Sequence, residues 1–524
     1  MSEDNGRISP LKRPGTCWRW GRITAQVLFF VLLLGVFVHT TQHGLNPNDA
    51  NLPLRINPLT AMANFIASRT FLVGGLTGLI LIGIALLTGR AWCGWLCPLG
   101  SIIDIFPFKK LKKKKPNFPE HWRSVKFIGL LGIIVAAGFG NLTLMVLDPV
   151  TIWYRSFTMA LWPGLDGLVM AGESALFKVP WLQNFVSTVD SLLRPLLFSF
   201  QPKVATAGWL FLGGLVLIIG LNLLAERFWC RYLCPLGGLM GLLAKVGLVK
   251  RKVLPSCTNC NACARVCPTG TVDKTKDYRS DPAECTLCMD CFKACPSKAI
   301  TFGLQAKLAG WESYDPTRRQ VLVGLGAGAI LGGLALITQR TRTPGEFQLR
   351  PPGAAKTMLM SKCIRCGACV RVCPTSALQP AMLQAGWEGF ATPILVPRTG
   401  ACDYGCNSCG QTCPVQAIPP LTLEEKHRVI IGKAEIDHTR CLPWGQGVPC
   451  SVCEEMCPLP KKAIHFAGQG EGGGKGKGGG TETETAPNPD VQLPVVIPEL
   501  CIGCGICEYK CPLPGEAAIR VRAV

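Results

Sequence analysis

Charge is scarce in this chain: 17% of its 524 residues are Asp, Glu, Lys or Arg, against 48% hydrophobic ones. That balance excludes an ordinary soluble multidomain protein. Histidine is nearly missing. Of six histidines only His39 and His43 lie near an apolar run, and two imidazoles at i and i+4 on one helix face cannot hold a haem from both sides. They read as an interfacial pair, and the apolar runs offer no evident haem site. A hydrolase triad, a Walker loop and a dinucleotide fingerprint are also absent. No substrate-converting site is visible, and no catalytic residue is assigned. The lysine run Lys109, Lys110 and Lys112 to Lys115 has no recognition motif beside it, which argues against nucleic acid.

What the chain does contain is apolar length. Five stretches approach or reach spanning length: Ile23–Val38, Phe71–Thr88, Phe127–Leu147, Ala207–Ala225 and Val321–Ile337. The first and last are short unless flanking residues join them. Basic loops stay cytoplasmic. Residues 89–126 carry nine Lys or Arg, whereas residues 41–70 carry only Arg55 and Arg69. The pattern predicts a cytoplasmic N-terminus, alternating spans and an external segment after the fifth; Arg340, Arg342 and Arg350 run against the rule. The net charge of +21 is then largely topology signal and attraction to anionic lipid.

It also contains cysteine, 29 in all, and six runs ending in Cys-Pro hold 24 of them. Four follow C-x2-C-x2-C-x3-C-P: Cys257-Cys260-Cys263-Cys267, Cys285-Cys288-Cys291-Cys295, Cys363-Cys366-Cys369-Cys373 and Cys501-Cys504-Cys507-Cys511. Two are stretched: Cys402-Cys406-Cys409-Cys413 and Cys441-Cys450-Cys453-Cys457. This is the bacterial ferredoxin spacing for [4Fe–4S] clusters, in which three close thiolates wrap one cubane and the fourth reaches a neighbouring cluster. Disulfides do not demand such repetition, and zinc sites usually pair two ligands with two. The spacing predicts six clusters. In the first pair, Cys257, Cys260 and Cys263 are expected to join Cys295, and Cys285, Cys288 and Cys291 to join Cys267.

Four further cysteines belong to a repeat. Arg90-Ala91-Trp92-Cys93-Gly94-Trp95-Leu96-Cys97-Pro98-Leu99-Gly100 matches Arg227-Phe228-Trp229-Cys230-Arg231-Tyr232-Leu233-Cys234-Pro235-Leu236-Gly237. Each copy follows the second span of a two-span unit, so a pseudo-axis along the membrane normal would bring Cys93, Cys97, Cys230 and Cys234 together. A spacing of four puts both cysteines of a copy on one face of a helical turn. The four thiols suit a seventh cluster or metal, a pair of redox thiols or a docking surface. The bland reading is a helix end with Pro and Gly as stops. Cys17 has no partner in sequence. Residues 148–206, with Trp153, Tyr154, Trp162, Pro163, Trp181 and Phe185, read as an interfacial aromatic loop. Thr317-Arg318-Arg319-Gln320-Val321-Leu322 suggests a twin-arginine export signal retained as an anchor.

These motifs carry a resemblance. Residues 1–310 resemble the NapH-type membrane ferredoxin, with four spans, two C-x3-C-P motifs and an inner pair of ferredoxin runs. Residues 311–524 resemble the exported four-cluster ferredoxin of NapG/MauM type, with twin arginines and four runs. The resemblance implies a fusion of the two in a bacterial cytoplasmic membrane, taking electrons from the quinone pool to a periplasmic oxidoreductase or cytochrome subunit of nitrate-reductase type. Similar membrane ferredoxins accompany other periplasmic systems, so the terminal acceptor does not follow. Related four-cluster proteins pair the first run with the fourth and the second with the third. Carried over, Cys363, Cys366 and Cys369 join Cys511; Cys501, Cys504 and Cys507 join Cys373; Cys402, Cys406 and Cys409 join Cys457; and Cys441, Cys450 and Cys453 join Cys413.

The expected organisation is a helical membrane domain with about five spans plus small α+β ferredoxin-like domains on both sides of the membrane. Residues 1–248 form the four-span part, 249–310 the cytoplasmic two-cluster domain, 311–344 the twin-arginine segment and fifth span, and 345–524 the extracytoplasmic four-cluster domain. The Gly-rich insertion 468–487 is a flexible loop. The sequence does not locate a quinone site. Two other roles stay open: a maturation or regulatory redox factor for a periplasmic metalloenzyme, and a quinone-reducing subunit running the electrons backwards.

Overall fold

The computed structural model describes residues 14–42, 51–70, 73–106, 120–198, 203–304, 318–341, 348–466 and 491–524. The lysine run 109–115, His43, Thr317 and the Gly-rich insertion lie outside them, as does the side chain of Cys17. The described chain is mostly helical, with four two-stranded antiparallel sheets. It packs as two compact units. One comprises Met1–Phe37, Leu52–Trp153 and Leu212–Leu334; the other comprises Val38–Asn51, Tyr154–Phe211 and Ala335–Val524.

Among the described residues one helix is long and apolar enough to cross a bilayer, over Trp18–Val38 within Pro14–Gln42. The expected second, third and fourth spans fall on shorter helices, Thr77–Thr88, Val125–Gly138 and Gly208–Gly220. At 1.5 Å per residue these rise only about 18–21 Å. Each is cut at a defined point. Gly89 ends the first at φ 66°, Gly140 turns the second at φ 72°, and the third tightens into a 3₁₀ turn at Leu221–Leu223. The fifth stretch lies on Arg318–Thr341, which starts at the twin arginines.

In the first unit, small residues let backbones approach. Gly324, Gly328 and Gly332 recur every fourth residue and face the Val125–Gly138 helix and the turn after it. A methyl added at Gly328 would lie 2.7 Å from Val135 Cβ, and one at Gly332 would lie 2.5 Å from Phe139 Cδ2. This is small-xxx-small packing, in which residues without side-chain bulk let two helix backbones approach closely. Pro235–Val246 packs against both Thr77–Thr88 and Val125–Gly138. Its Gly238 meets the carbonyl of Lys126, and its Gly241 meets that of Ala283.

The two-cluster module completes this unit. Strands Val249–Val253 and Ile300–Leu304 pair antiparallel, with Val249 opposite Leu304, and bracket the short helices Ala262–Val266 and Asp290–Ala294. Its core is small: Cys263, Val272, Cys291 and Ile300. The module is fastened to the helices by Glu284, which is buried among Arg90 (3.2 Å), Arg123 (3.9 Å) and Lys126. Burial works against the Glu284 carboxylate, but the three cations hold its pKa below the usual range. Gly94 sits on the carbonyl of Thr286, and Trp95 Nε1 donates to the carbonyl of Leu287 at 3.0 Å.

In the second unit, residues 154–211 are part of the cysteine-rich body. Met159, Ala207 and Phe211 share one core with Leu349, Val370, Leu395, Ile464 and Val521. The aromatic loop is thus only partly interfacial in character. Trp153 and Tyr154 are buried, Trp153 against Phe30 and Phe37, while Trp181 and Phe185 are 80% and 65% exposed. Helices Trp162–Leu176 and Gln183–Leu197 are tied by Arg194, which binds Glu173 at 2.7 Å and Asp190 at 2.5 Å.

Removing the partner of buried charges typically costs about 3–5 kcal/mol. Glu284→Ala is therefore expected to loosen the two-cluster module by that order. Limited proteolysis and hydrogen exchange across residues 249–304 will read this as lost protection, with the second unit unchanged.

Candidate iron–sulfur centres

A loop that wraps a cluster must turn tightly around each thiolate, and the backbone records this. In all four regular runs the two residues flanking the second cysteine are left-handed: Asn259 and Asn261, Leu287 and Met289, Arg365 and Gly367, Gly503 and Gly505. For Leu, Met and Arg that conformation costs roughly 1–2 kcal/mol per residue. Such outliers persist only where the surroundings over-determine them. A second turn follows the fourth cysteine. Gly270, Lys298, Ser376 and Gln416, each three residues after that cysteine, also have positive φ. Their amides close back in three cases, Gly270 to Cys267 O at 3.2 Å, Ser376 to Cys373 O and Gln416 to Cys413 O. Proline after the cysteine presets the turn.

The thiols assemble into sets. Cys285, Cys288 and Cys291 lie beside Cys267, each feeling its charge. Cys257 lies beside Cys263, and Cys295 packs on the same small core. In the second unit the pairing differs from the one implied by resemblance. Cys363, Cys366 and Cys369 share a cavity with Cys413, not Cys511. Cys402 and Cys409 lie beside Cys406 and Cys373, not Cys457. Cys441, Cys450 and Cys453 share a cavity with Cys511, not Cys413. Cys501, Cys504 and Cys507 share one with Cys457, not Cys373. The reason is local: the runs pair with their sequence neighbours, first with second and third with fourth. Helix Ala368–Val372 packs on Ser408–Gln411, and Val452–Glu455 on Ile506–Lys510.

The C-x3-C-P cysteines also come together. Cys93, Cys97, Cys230 and Cys234 are all buried, and the Cys234 thiol is raised by burial and then by the charges of the other three. The two cysteines of a copy do not share one continuous helical turn. Cys97 and Cys234 have extended backbone and each amide donates five residues back, to Trp92 O and Trp229 O, both at 2.9 Å. Pro98 and Pro235 are starts rather than stops: they open the helices Pro98–Ile105 and Pro235–Val246, where a missing N–H costs nothing. Cys234 Sγ accepts from Gly237 N at 3.2 Å. The copies clasp each other. Arg90 donates to the carbonyl of Cys230 at 3.4 Å, and Arg227 donates to that of Cys93 at 3.5 Å. Arg227 is anchored on Asp104 at 2.9 Å.

The donor sets suit a wide polynuclear group. Among the described residues no three His, Cys, Asp or Glu converge on a single ion, and the 28 described cysteines are unbridged. Burial pushes the Cys285 and Cys409 thiols up to about 12, so they need iron to become thiolates near neutrality. Buried Arg90 and Arg227 supply compensating positive charge at the four-cysteine site. Trp92 Nε1 and Trp229 Nε1, equivalent in the repeat, are buried without a hydrogen-bond partner among the described residues; inorganic sulfide or thiolate would accept from such donors.

Sequence reasoning missed the hydroxyls two residues after the crossing cysteines. Thr269 Oγ1 lies 3.5 Å from Cys267 Sγ, Ser297 Oγ 3.6 Å from Cys295 Sγ and Thr375 Oγ1 3.5 Å from Cys373 Sγ. At Cys406, which does not cross, the thiol itself donates to Ser408 Oγ at 3.4 Å. The corresponding positions in the other runs are Val415, Leu459 and Leu513. The signal was legible as Cys-Pro followed by Ser or Thr.

Fold and thiol sets define a multicluster iron–sulfur protein of ferredoxin type. A family model described as a 4Fe-4S dicluster domain matches residues 277–374. One described as a 4Fe-4S binding domain matches 70–116 and 207–254, the two C-x3-C-P copies, and another of that description matches 494–513. The methylamine utilization ferredoxin-type protein MauM of Methylorubrum extorquens is 33% identical over 215 residues, 40% of this chain and 89% of that protein. The ferredoxin-type protein NapG of Escherichia coli is 32% identical over 205 residues, 39% of this chain and 82% of that protein. The ferredoxin-type protein NapH of Haemophilus influenzae is 26% identical over 196 residues, 37% of this chain and 53% of that protein. No solved structure matches. The chain belongs to the MauM/NapG family of ferredoxin-type iron–sulfur proteins.

Hydrogen bonds to cluster sulfur are among the terms that set potential. Thr375 Oγ1 spends its proton on the carbonyl of Ala401 at 2.5 Å, whereas the Thr269 hydroxyl faces Cys267 Sγ. Thr269→Val is expected to lower the midpoint of the Cys285 set and leave the others in place, measured by EPR-monitored redox titration.

Proposed function

We propose that this chain is a quinol-linked membrane electron carrier, a NapH-type ferredoxin fused to a four-cluster ferredoxin of NapG/MauM type. It passes electrons to an extracytoplasmic oxidoreductase, such as one of nitrate-reductase type. The observation that carries this is the set of cysteine groups itself: six ferredoxin runs in two bodies, plus the four thiols of the repeat. The 24 ferredoxin cysteines would hold six [4Fe–4S] clusters, and Cys93, Cys97, Cys230 and Cys234 a seventh. Bound there, such clusters supply reversible one-electron chemistry.

The protein's own residues support the rest. Arg227 lies near both Cys230 and Cys288, so the four-thiol site and the two-cluster module adjoin. A cavity of about 520 Å³ opens beside them, lined by Arg22, Asp104, Phe106, Arg227, Pro268 and Lys293 among others. Its mixture of apolar wall, carboxylate and cation suits a quinol head group. Asp104 accepts from Gln26 at 3.2 Å and from Arg227 at 2.9 Å, and with Asp290 it offers a carboxylate to which a quinol hydroxyl can donate. Sidedness is supported by packing. The basic segment that holds Arg90, Arg123 and Lys126 meets the two-cluster module, whereas residues 154–211, expected outside, fold with the four-run body.

Anaerobically purified protein should carry about 24 iron atoms for six clusters or about 28 for seven, with matching sulfide. EPR during titration with a quinol analogue should show their reduction. A full complement that ignores quinol would overturn the quinol link and favour a separate donor.

A further inference from the structure

The four thiolate sets of the second unit adjoin one another in a definite order. The Cys363 set takes Cys413 from the second run, and the Cys402 set takes Cys373 from the first, so these two are neighbours. The Cys441 set takes Cys511 from the fourth run, and the Cys501 set takes Cys457 from the third, which makes a second pair. One backbone hydrogen bond joins the pairs at their ligands: Cys402 N donates to Cys504 O at 2.9 Å. The turn that leads into Cys402 is locked on the same run, with Arg398 donating to the carbonyls of Glu508 and Cys511, both at 3.1 Å. The junction therefore lies between the second and fourth runs.

We propose that the four sets form one unbranched series in the chain order first, second, fourth, third, with the Cys363 set and the Cys441 set as its two ends. This rests on the reading of the sets as iron–sulfur centres and goes beyond it by naming which centre is terminal.

The ends differ in what surrounds them. The Cys363 end is gripped by residues 154–211. Arg155 donates to the carbonyl of Arg365 at 3.3 Å, Met159 covers Gly367, and Lys203 donates to the carbonyl of Cys373 at 2.5 Å. The Cys441 end carries the longest spacer between cysteines within any of the six runs. Residues 442–449 contain no charged side chain and leave Val448 45% exposed. Trp444 in this lip stacks on His438 at 4.0 Å and donates to Pro494 O at 3.0 Å. The lip is thus a fixed, neutral rim in a strongly basic chain. The Cys363 end is covered by the protein's own residues 154–211, and the Cys441 end presents this neutral lip. Position in sequence misleads here, because the run nearest the C-terminus lies inside the series.

The test is EPR of the fully reduced full-length protein, in which neighbouring centres broaden each other's signals and a centre without neighbours gives a sharp one. Cys504→Ala/Cys507→Ala, which leaves the crossing cysteine Cys511 in place, should remove four iron atoms and release one sharp signal from the stranded Cys441 set. Cys450→Ala/Cys453→Ala should also remove four but release none, because the other three sets stay in contact. Cys406→Ala/Cys409→Ala should strand the Cys363 set instead, and serves if the first variant fails to fold. A sharp signal from Cys450→Ala/Cys453→Ala, or none from either stranding variant, overturns the order. Wild-type protein with iron-free cysteines and no such signals would instead overturn the iron–sulfur reading itself.

Discussion

Everything in this chain depends on one exchange: the fourth cysteine of a run leaves its own loop and completes the set of a neighbour. A run alone offers three thiolates and an open corner. Two runs that trade their last cysteines each bring four thiols together, and in doing so they fix their mutual distance and orientation. That substitutes for the hydrophobic core these short segments lack. The two-cluster module has four buried core residues, two of them cysteines. Domains this small rarely hold together on apolar burial alone, and metal binding becomes folding free energy.

The same exchange explains the charge arrangement. Thiolate sets are anionic and buried, so cations must follow them inward. Arg90 and Arg227 occupy equivalent repeat positions, each near the thiols and each anchored on an acid, Glu284 and Asp104. Arg365 is almost fully buried behind Cys363, with its guanidinium on the carbonyls of Cys363 and Glu388. These arginines are costly in an empty site and stabilising in a filled one. Their burial is an imprint of the charge they were placed to meet.

The cysteine runs were legible because the chemistry leaves little freedom in spacing, and the repeat was legible because its eleven residues match nearly in register. The convergence of Cys93, Cys97, Cys230 and Cys234 followed from that symmetry. The partner choice among the outer runs was not legible. Spacing says that a fourth cysteine crosses, but which neighbour it reaches is decided by packing such as that between Ala368–Val372 and Ser408–Gln411. The apolar stretches announced helices, and the second even ended where Gly89 ends its helix, but the third ran through the break at Gly140, which depends on a turn that hydropathy does not see. The Gly324, Gly328 and Gly332 stripe was present in the sequence and is recognised only against the helix it faces.

The docking of residues 154–211 on the first outer run has a consequence for synthesis. Arg155 and Arg365, which hydrogen-bond, are 210 residues apart. At roughly 5–20 residues per second a ribosome needs about 10–40 s to bridge that gap. For that interval Met159 and Phe211 have no body to cover. The apolar face they form is a nascent-chain liability that only the last third of the protein can retire, so the covering loop is finished early and seated late.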